Sequence, residues 1–334
     1  MKAPDPIEVP ISIITGFLGS GKTTLINHLV SQEAMEATAL IINEFGEIGL
    51  DHLLIESAIE NTLLLENGCI CCSIRGDLID TINGLFSKVQ NKQIPKFSRI
   101  LIETTGLADP APIVSSIWSE RSFTNRCSLD RTITVVDGVH GMAQLGEHEE
   151  AVAQIAQADI GLISKSDIAP HSDIDRLMEH LNQINPTVIL RLAEKGRVDP
   201  EFLFSGHFDQ TRYLIRKANH SDHDIEFRHD DIASLALRHE SPLEKSKLFS
   251  WLSMIYSLRP YAMLRMKGII WLIDHDRPML LEAIGNNVSL PRSLPNWPAE
   301  KKETQLVLIF KGLSKGSLAE SFQRHVLPVN SCES

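Results

Sequence analysis

One stretch constrains the fold of this chain more than any other. Residues 16–24 read GFLGSGKTT and fit G-x4-G-K-[ST] through Gly16, Gly21, Lys22 and Thr23. A β-branched run at 9–14 precedes the motif, and a helix-length amphipathic stretch at 24–33 follows it. That is the strand–loop–helix setting in which such a motif cradles phosphate. Gly16, Gly19 and Gly21 let the loop adopt positive φ and turn its N–H groups inward as an anion nest, while Phe17, Leu18, Ser20 and Thr24 complete it. The N-terminus of the helix adds its partial positive charge. Lys22 is spaced to reach the β- and γ-phosphates, and the Thr23 hydroxyl to ligate Mg²⁺. A nucleoside triphosphate is the expected ligand.

The rest of the first two hundred residues extends this pattern. Strands are predicted at 9–14, 39–43, 62–66, 99–103, 133–137, 159–163 and 187–190, with helices at 24–33, 73–90, 111–119, 149–158 and 173–184. Several strands are apolar at nearly every position, as strands covered on both faces are. The alternation predicts an α/β P-loop NTPase domain with a mostly parallel sheet over 1–210. Residues 211–231 read as a linker containing NHSDHDIEFRHDD (219–231), dense in His and Asp. A smaller α+β domain is expected over 232–334, with strands at 232–238, 262–272, 278–284 and 305–310, helices at 243–257 and 317–326, and an irregular loop at 291–298.

Composition excludes several classes. The 334 residues carry 32 Lys and Arg against 43 Asp and Glu, a net charge of −11. A nucleic-acid binder would show a basic footprint instead. No run approaches the roughly 20 apolar residues that span a membrane, and MKAPDPIEVP places acids and prolines where a signal peptide has its apolar stretch. The expectation is a cytoplasmic protein that engages neither nucleic acid nor membrane.

Further motifs narrow the chemistry. Residues 163–167 read ISKSD at the end of an apolar strand. The Lys165 stem can cover a guanine ring and the Asp167 carboxylate can accept both hydrogens of its Watson–Crick edge, which adenine does not offer. Many GTPases carry Asn where this chain has Ser164. The bland alternative is a helix cap, since Ser166 and Asp167 both cap well. The strand at 99–103 ends in Glu103, beside TTGLADP, where a Mg²⁺-linked or water-orienting group belongs; a turn cap is the alternative. Gly106 suits close approach of backbone N–H to a γ-phosphate. NEFGEIGLD (43–51) follows another strand and is a candidate switch loop, with Glu44 or Asp51 able to approach Mg²⁺ or a second metal.

Three of the five cysteines, Cys69, Cys71 and Cys72, cluster in NGCICCS, while Cys127 and Cys332 are solitary. Near-adjacent cysteines bridge poorly, so a metal or redox site is the reading in a reducing compartment. No second C-x2-C or H-x3-H pair completes a closed zinc site. Three thiolates with an open fourth position suit binding and transfer of a soft ion such as Zn²⁺ or Cu⁺. Buried structural cysteines are the alternative.

Taken in order, GFLGSGKTT, INEFGEIGLD, ENGCICCSIRGDL, ETTGLADP and SKSD resemble the CobW-like family of metal-chaperone GTPases, related to those that insert nickel into urease and hydrogenase. RMKGIIWL (265–272) and KETQLVLIFKGL (302–313) are similar to its carboxyl-terminal domain. The resemblance implies binding of GTP and GDP with Mg²⁺ and slow hydrolysis, for which Lys22 and Glu103 are the catalytic candidates that the motifs above supply. It also implies a transition metal (Zn²⁺, or Co²⁺ and its neighbours) held by Cys69, Cys71 and Cys72 for delivery to a client metalloprotein through the carboxyl-terminal domain. Family members often carry a His-rich segment at the domain junction; here it is His220, His223 and His229, for which a solvated acidic linker is the blander reading. No arginine finger is assigned; Arg75, just after the cysteines, is only a candidate. The competing classes are a metal buffer or regulatory switch without delivery, and a P-loop ATPase or kinase with an incidental thiol cluster.

Overall fold

The computed structural model of the chain describes residues 8–42, 63–66, 74–123, 126–204, 232–298 and 301–327. It divides into two compact units, each with its own sheet. The first unit runs β1 (Val9–Thr15), α1 (Lys22–Val30), β2 (Thr38–Ile42), β3 (Leu63–Glu66), α2 (Ile74–Gln90), β4 (Arg99–Glu103) and α3 (Ala111–Ser119). It continues through β5 (Cys127–Asp137), α4 (Gly141–Glu147), α5 (Glu149–Ala156), β6 (Ile160–Ser164), α6 (His171–Ile184), β7 (Ile189–Ala193) and α7 (Pro200–Phe204). Its seven strands lie in the order β3-β2-β4-β1-β5-β6-β7, and every pairing is parallel.

The sequence explains the burial. Successive residues of β1 and β4 point to opposite faces, yet Ile11, Ile13 and Ile14 and Ile100, Leu101 and Ile102 are all inaccessible to solvent. On one face Leu25, Ile26 and Leu29 of α1 and Leu203 of α7 pack on Ile14, Leu40, Leu101, Val135 and Leu162. At the same edge Arg131 Nη1 donates to Leu203 O over 2.7 Å, and Arg131 pairs with Asp130 over 2.6 Å.

The second unit runs β8 (Ile232–His239), α8 (Lys245–Leu258), β9 (Met263–Ile270), β10 (Met279–Ile284), β11 (Asn287–Val288), β12 (Arg292–Ser293), β13 (Thr304–Lys311) and α9 (Lys315–Val326). Its order is β11-β10-β9-β13-β8, with β12 also on β10, and its pairings are antiparallel. Trp251 of α8 and Phe322 of α9 meet edge-on at 5.1 Å over a core that includes Met266, Ile270, Leu281, Leu306 and Phe310. The α+β character expected here is observed.

Several expected boundaries shift for physical reasons. Helix α1 begins at Lys22 rather than 24, because Gly21 in the left-handed region (φ 97°) forms its N-cap and the Lys and Thr of the motif make the first turn. Strand β5 begins at Cys127 rather than 133; its polar Asp130 and Arg131, at a register shift against β1, hide its first half from an apolar pattern. Helices α4 and α7, of 7 and 5 residues, are additional to the expected ones and too short to display a helical period in the sequence. The loop expected at 291–298 contains the two-residue strand β12.

Candidate functional site

In a parallel sheet, ligands bind outside the carboxyl ends of the strands. The loops after β1, β4, β5 and β6 converge there. Gly16 has φ 147°, and a Cβ on it would lie 2.3 Å from Val135 O, so the chain can leave β1 along this path only with glycine. Gly19 and Gly21 also have positive φ. The cap of α1 is a glycine with no side chain to bond the first-turn N–H groups, which are the groups an anion takes at a helix start. This cradle and this donor set fit a polyphosphate. Lys22 Nζ spans the loop, donating to Gly16 O at 2.8 Å and Phe17 O at 3.3 Å, and Thr23 stands half-buried beside it.

The loop after β4 lies against the phosphate loop. Ile14 and Glu103 are partners in the β1–β4 register, Thr104 N donates to Ile14 O at 2.9 Å, and Thr104 Oγ1 donates to Thr15 Oγ1 at 2.8 Å. Glu103 is buried at the strand tip, as expected of a residue there. Gly106 approaches so closely that a Cβ would sit 2.8 Å from Leu18 N.

The third part is built from β5 and β6. Ser164 Oγ donates to Ser20 O at 2.5 Å, tying the end of β6 to the phosphate loop. This hydroxyl reaches the phosphate loop from the position where many GTPases carry Asn. Lys165, at φ 54°, sends Nζ to Asp137 Oδ2 at 2.6 Å and Gly19 O at 3.0 Å. Asp167 lies on the exposed turn that follows. In the sequence Asp137 is only the last residue of a predicted strand. It is almost wholly buried, and its Oδ1 also accepts from Val139 N and His140 N at 2.8 and 3.0 Å. Burial acts to raise its pKa but is outweighed by the Lys165 hydrogen bond and the two amides, so the carboxyl is held below its ordinary value. The signal for Asp137 was present in TVVDG: like Glu103, it is a carboxylate ending an apolar strand.

The phosphate-loop residues, Glu103, Gly106, Ser164, Lys165 and Asp167 are therefore gathered at one end of the sheet. Glu44, Asp51, Cys69, Cys71, Cys72, His220, His223 and His229 lie outside the described residues, as does the side chain of Arg75. Among the described residues no group of three or more His, Cys, Asp or Glu side chains is arranged to hold a metal, and no helix is long and apolar enough to cross a membrane. Cys127 is buried, which pushes its thiol up to about 12 and leaves it unreactive.

Comparison with known proteins adds independent findings. Residues 10–190 match the family model of the CobW/HypB/UreG nucleotide-binding domain, and residues 232–326 match that of the cobalamin synthesis protein cobW C-terminal domain. The chain is 30% identical to the zinc chaperone YjiA of Escherichia coli, over 94% of this chain and 98% of that one. It is 27% identical to the zinc-regulated GTPase metalloprotein activator 1 of Saccharomyces cerevisiae, over 95% of this chain and 83% of the relative. The crystal structure of Zn(II)-bound YjiA GTPase from E. coli shares the fold, with a TM-score of 0.71 at 23% identity over 95% of this chain and 99% of that one. With the phosphate cradle, the parallel order of strands and both family models in agreement, the chain belongs to the CobW/HypB/UreG family.

Proposed function

We propose that this protein is a metallochaperone GTPase, which couples GTP binding and hydrolysis to delivery of a transition metal, zinc first, to a client metalloprotein. The observation that carries the nucleotide half is the convergence of the Gly16 cradle, Gly106 and the Lys165 turn on one sheet end. The metal half is supported by the thiols of Cys69, Cys71 and Cys72 and by relatives named zinc chaperones.

Each residue has a task in this reading. The amides of 16–24 and Lys22 Nζ hold and neutralise phosphate oxygens, the form of catalysis that phosphoryl transfer calls for. Thr23 and Glu103 would hold Mg²⁺, which supplies further positive charge when bound, and Glu103 orients the attacking water. Gly106 brings backbone N–H to the third phosphate. Lys165 covers the base, Asp167 reads its edge, and Ser164 fixes their turn to the phosphate loop. The carboxyl-terminal domain is assigned to client recognition.

Titrating zinc into GTP-bound, GDP-bound and nucleotide-free protein tests the coupling. Linkage requires that a nucleotide which alters metal affinity be itself altered by metal. Equal zinc affinity in all three states would leave a metal buffer or a separate switch. Cys71→Ala is expected to lose zinc while binding GTP within about twofold of wild type. Displacement of GTP by equimolar ATP would replace this reading with that of a P-loop ATPase.

A further inference from the structure

The loop over 104–109, which the proposed function uses to sense the third phosphate, is held by a residue far away in sequence. Gln154 of α5 is 1% exposed, and its Nε2 donates to both Gly106 O at 3.1 Å and Ala108 O at 3.0 Å. Its own backbone is fixed, since Thr134 Oγ1 of β5 donates to Gln154 O at 2.9 Å. One turn on, Gln157 Nε2 donates to Asp109 Oδ1 at 2.9 Å, the oxygen that also accepts Ala111 N at the start of α3.

The same helical pair reaches the phosphate loop. Gln144 Nε2 of α4 donates to Leu18 O at 3.4 Å, and His148, between α4 and α5, stacks on Phe17 with ring centroids 4.5 Å apart. Residues 144–157 therefore touch both loops that face the phosphates. One further detail argues against a purely packing role for Gln154. Its Oε1 is buried and accepts no hydrogen bond from any described residue. A position filled for packing alone would favour Leu or Met, which leave no unpaired oxygen. The amide is suited to this place by its donor end, which can fork across two carbonyls.

We propose that Gln154 is a positioning residue for nucleotide discrimination: its amide holds the 104–109 loop against the phosphate loop, so that the Gly106 N–H is set for the third phosphate of GTP and has no partner on GDP. The inference rests on the GTPase reading. Contacts made only with the third phosphate should fail without Gln154, while those to the first two persist.

The test uses the full chain and Gln154→Met, which keeps the length and removes both polar ends. Affinities for Mg²⁺-GDP and for Mg²⁺ with a non-hydrolysable GTP analogue are measured by calorimetry. We expect GDP affinity within about twofold of wild type and analogue affinity lower by about tenfold, inside the usual range of coupling between sites. Amide hydrogen exchange of wild type provides a second measurement that needs no variant: residues 104–109 should exchange more slowly with the analogue than with GDP. Equal losses for both nucleotides, no loss for either, or equal exchange in the two states would overturn the assignment of Gln154. Wild-type protein that binds GDP but not the analogue would overturn it too. Failure of wild type to bind either nucleotide would instead overturn the GTPase reading, and this assignment with it.

Discussion

At the scale of single residues, the Asp137–Lys165 pair is the clearest case of a buried charge made tolerable by its neighbours. Asp137 accepts three hydrogen bonds, two from backbone amides and one from the ammonium. Its folded pKa lies below its unfolded one, so it stabilises the protein above the unfolded value of about 3.9 and loses that contribution as pH falls through the folded value. Asp137→Asn should cost about 2 kcal/mol at pH 7, and less as acid protonates the wild-type carboxyl. Urea unfolding of both proteins at pH 7 and near pH 3 checks this; a difference that does not shrink with acid would contradict it.

The glycines of the phosphate loop make a second contrast. Gly16→Ala meets a carbonyl at 2.3 Å in addition to its positive φ, whereas Gly19→Ala, at φ 71°, meets no atom within 4 Å. We expect the second to cost about 1 kcal/mol and the first several times that, with loss of nucleotide binding. Equal unfolding midpoints for the two variants would show the Val135 contact to be unimportant.

What was legible at this scale depended on range. The phosphate motif is contiguous, so its spacing alone gave Lys22 and Thr23. Asp137 carries the same mark as Glu103, a carboxylate closing an apolar strand, but no motif surrounds it to give that mark a meaning. Gln154 carried no mark at all. Its partners, Gly106 and Ala108, lie 48 and 46 positions away, and a glutamine on a helix reads as a solvated residue until the fold brings those carbonyls to it.

At the scale of elements, the buried strands were the easiest to read, because unbroken apolar runs are what a sheet covered on both sides requires. Short helices such as α4 and α7 contain too few turns to display a period, and the polar start of β5 interrupts its own pattern. In the second unit, α8 and α9 are tied to the antiparallel sheet through Trp251, whose Nε1 also donates to Ser321 Oγ at 3.1 Å. Trp251→Ala should destabilise that unit by about 3–5 kcal/mol, from lost burial and the cavity left behind. Denaturant unfolding followed at 232–327 measures it, and a loss below about 1 kcal/mol would mean that the helices hold without this anchor.

At the scale of the whole molecule, a ligand that binds only the folded chain stabilises it by mass action. Mg²⁺-GDP at about one hundred times its dissociation constant should add about 2.7 kcal/mol to the unit that carries the phosphate loop. Thermal unfolding with and without the nucleotide reads this directly, and an unmoved transition would count against binding at that loop.

The strand order has a consequence for how the protein is made. Strand β1 lies between β4 and β5, so both of its neighbours are encoded beyond residue 98. While a ribosome completes that stretch, on the order of 10 s at ordinary elongation rates, the strand leading into GFLGSGKTT has left the exit tunnel with neither edge paired. An apolar strand with both edges unpaired is the kind of surface that makes folding chains prone to aggregate and dependent on chaperones. The loop that gives this family its chemistry is fully braced only once Lys165, 146 positions beyond Gly19, has followed Asp137 and paired with it.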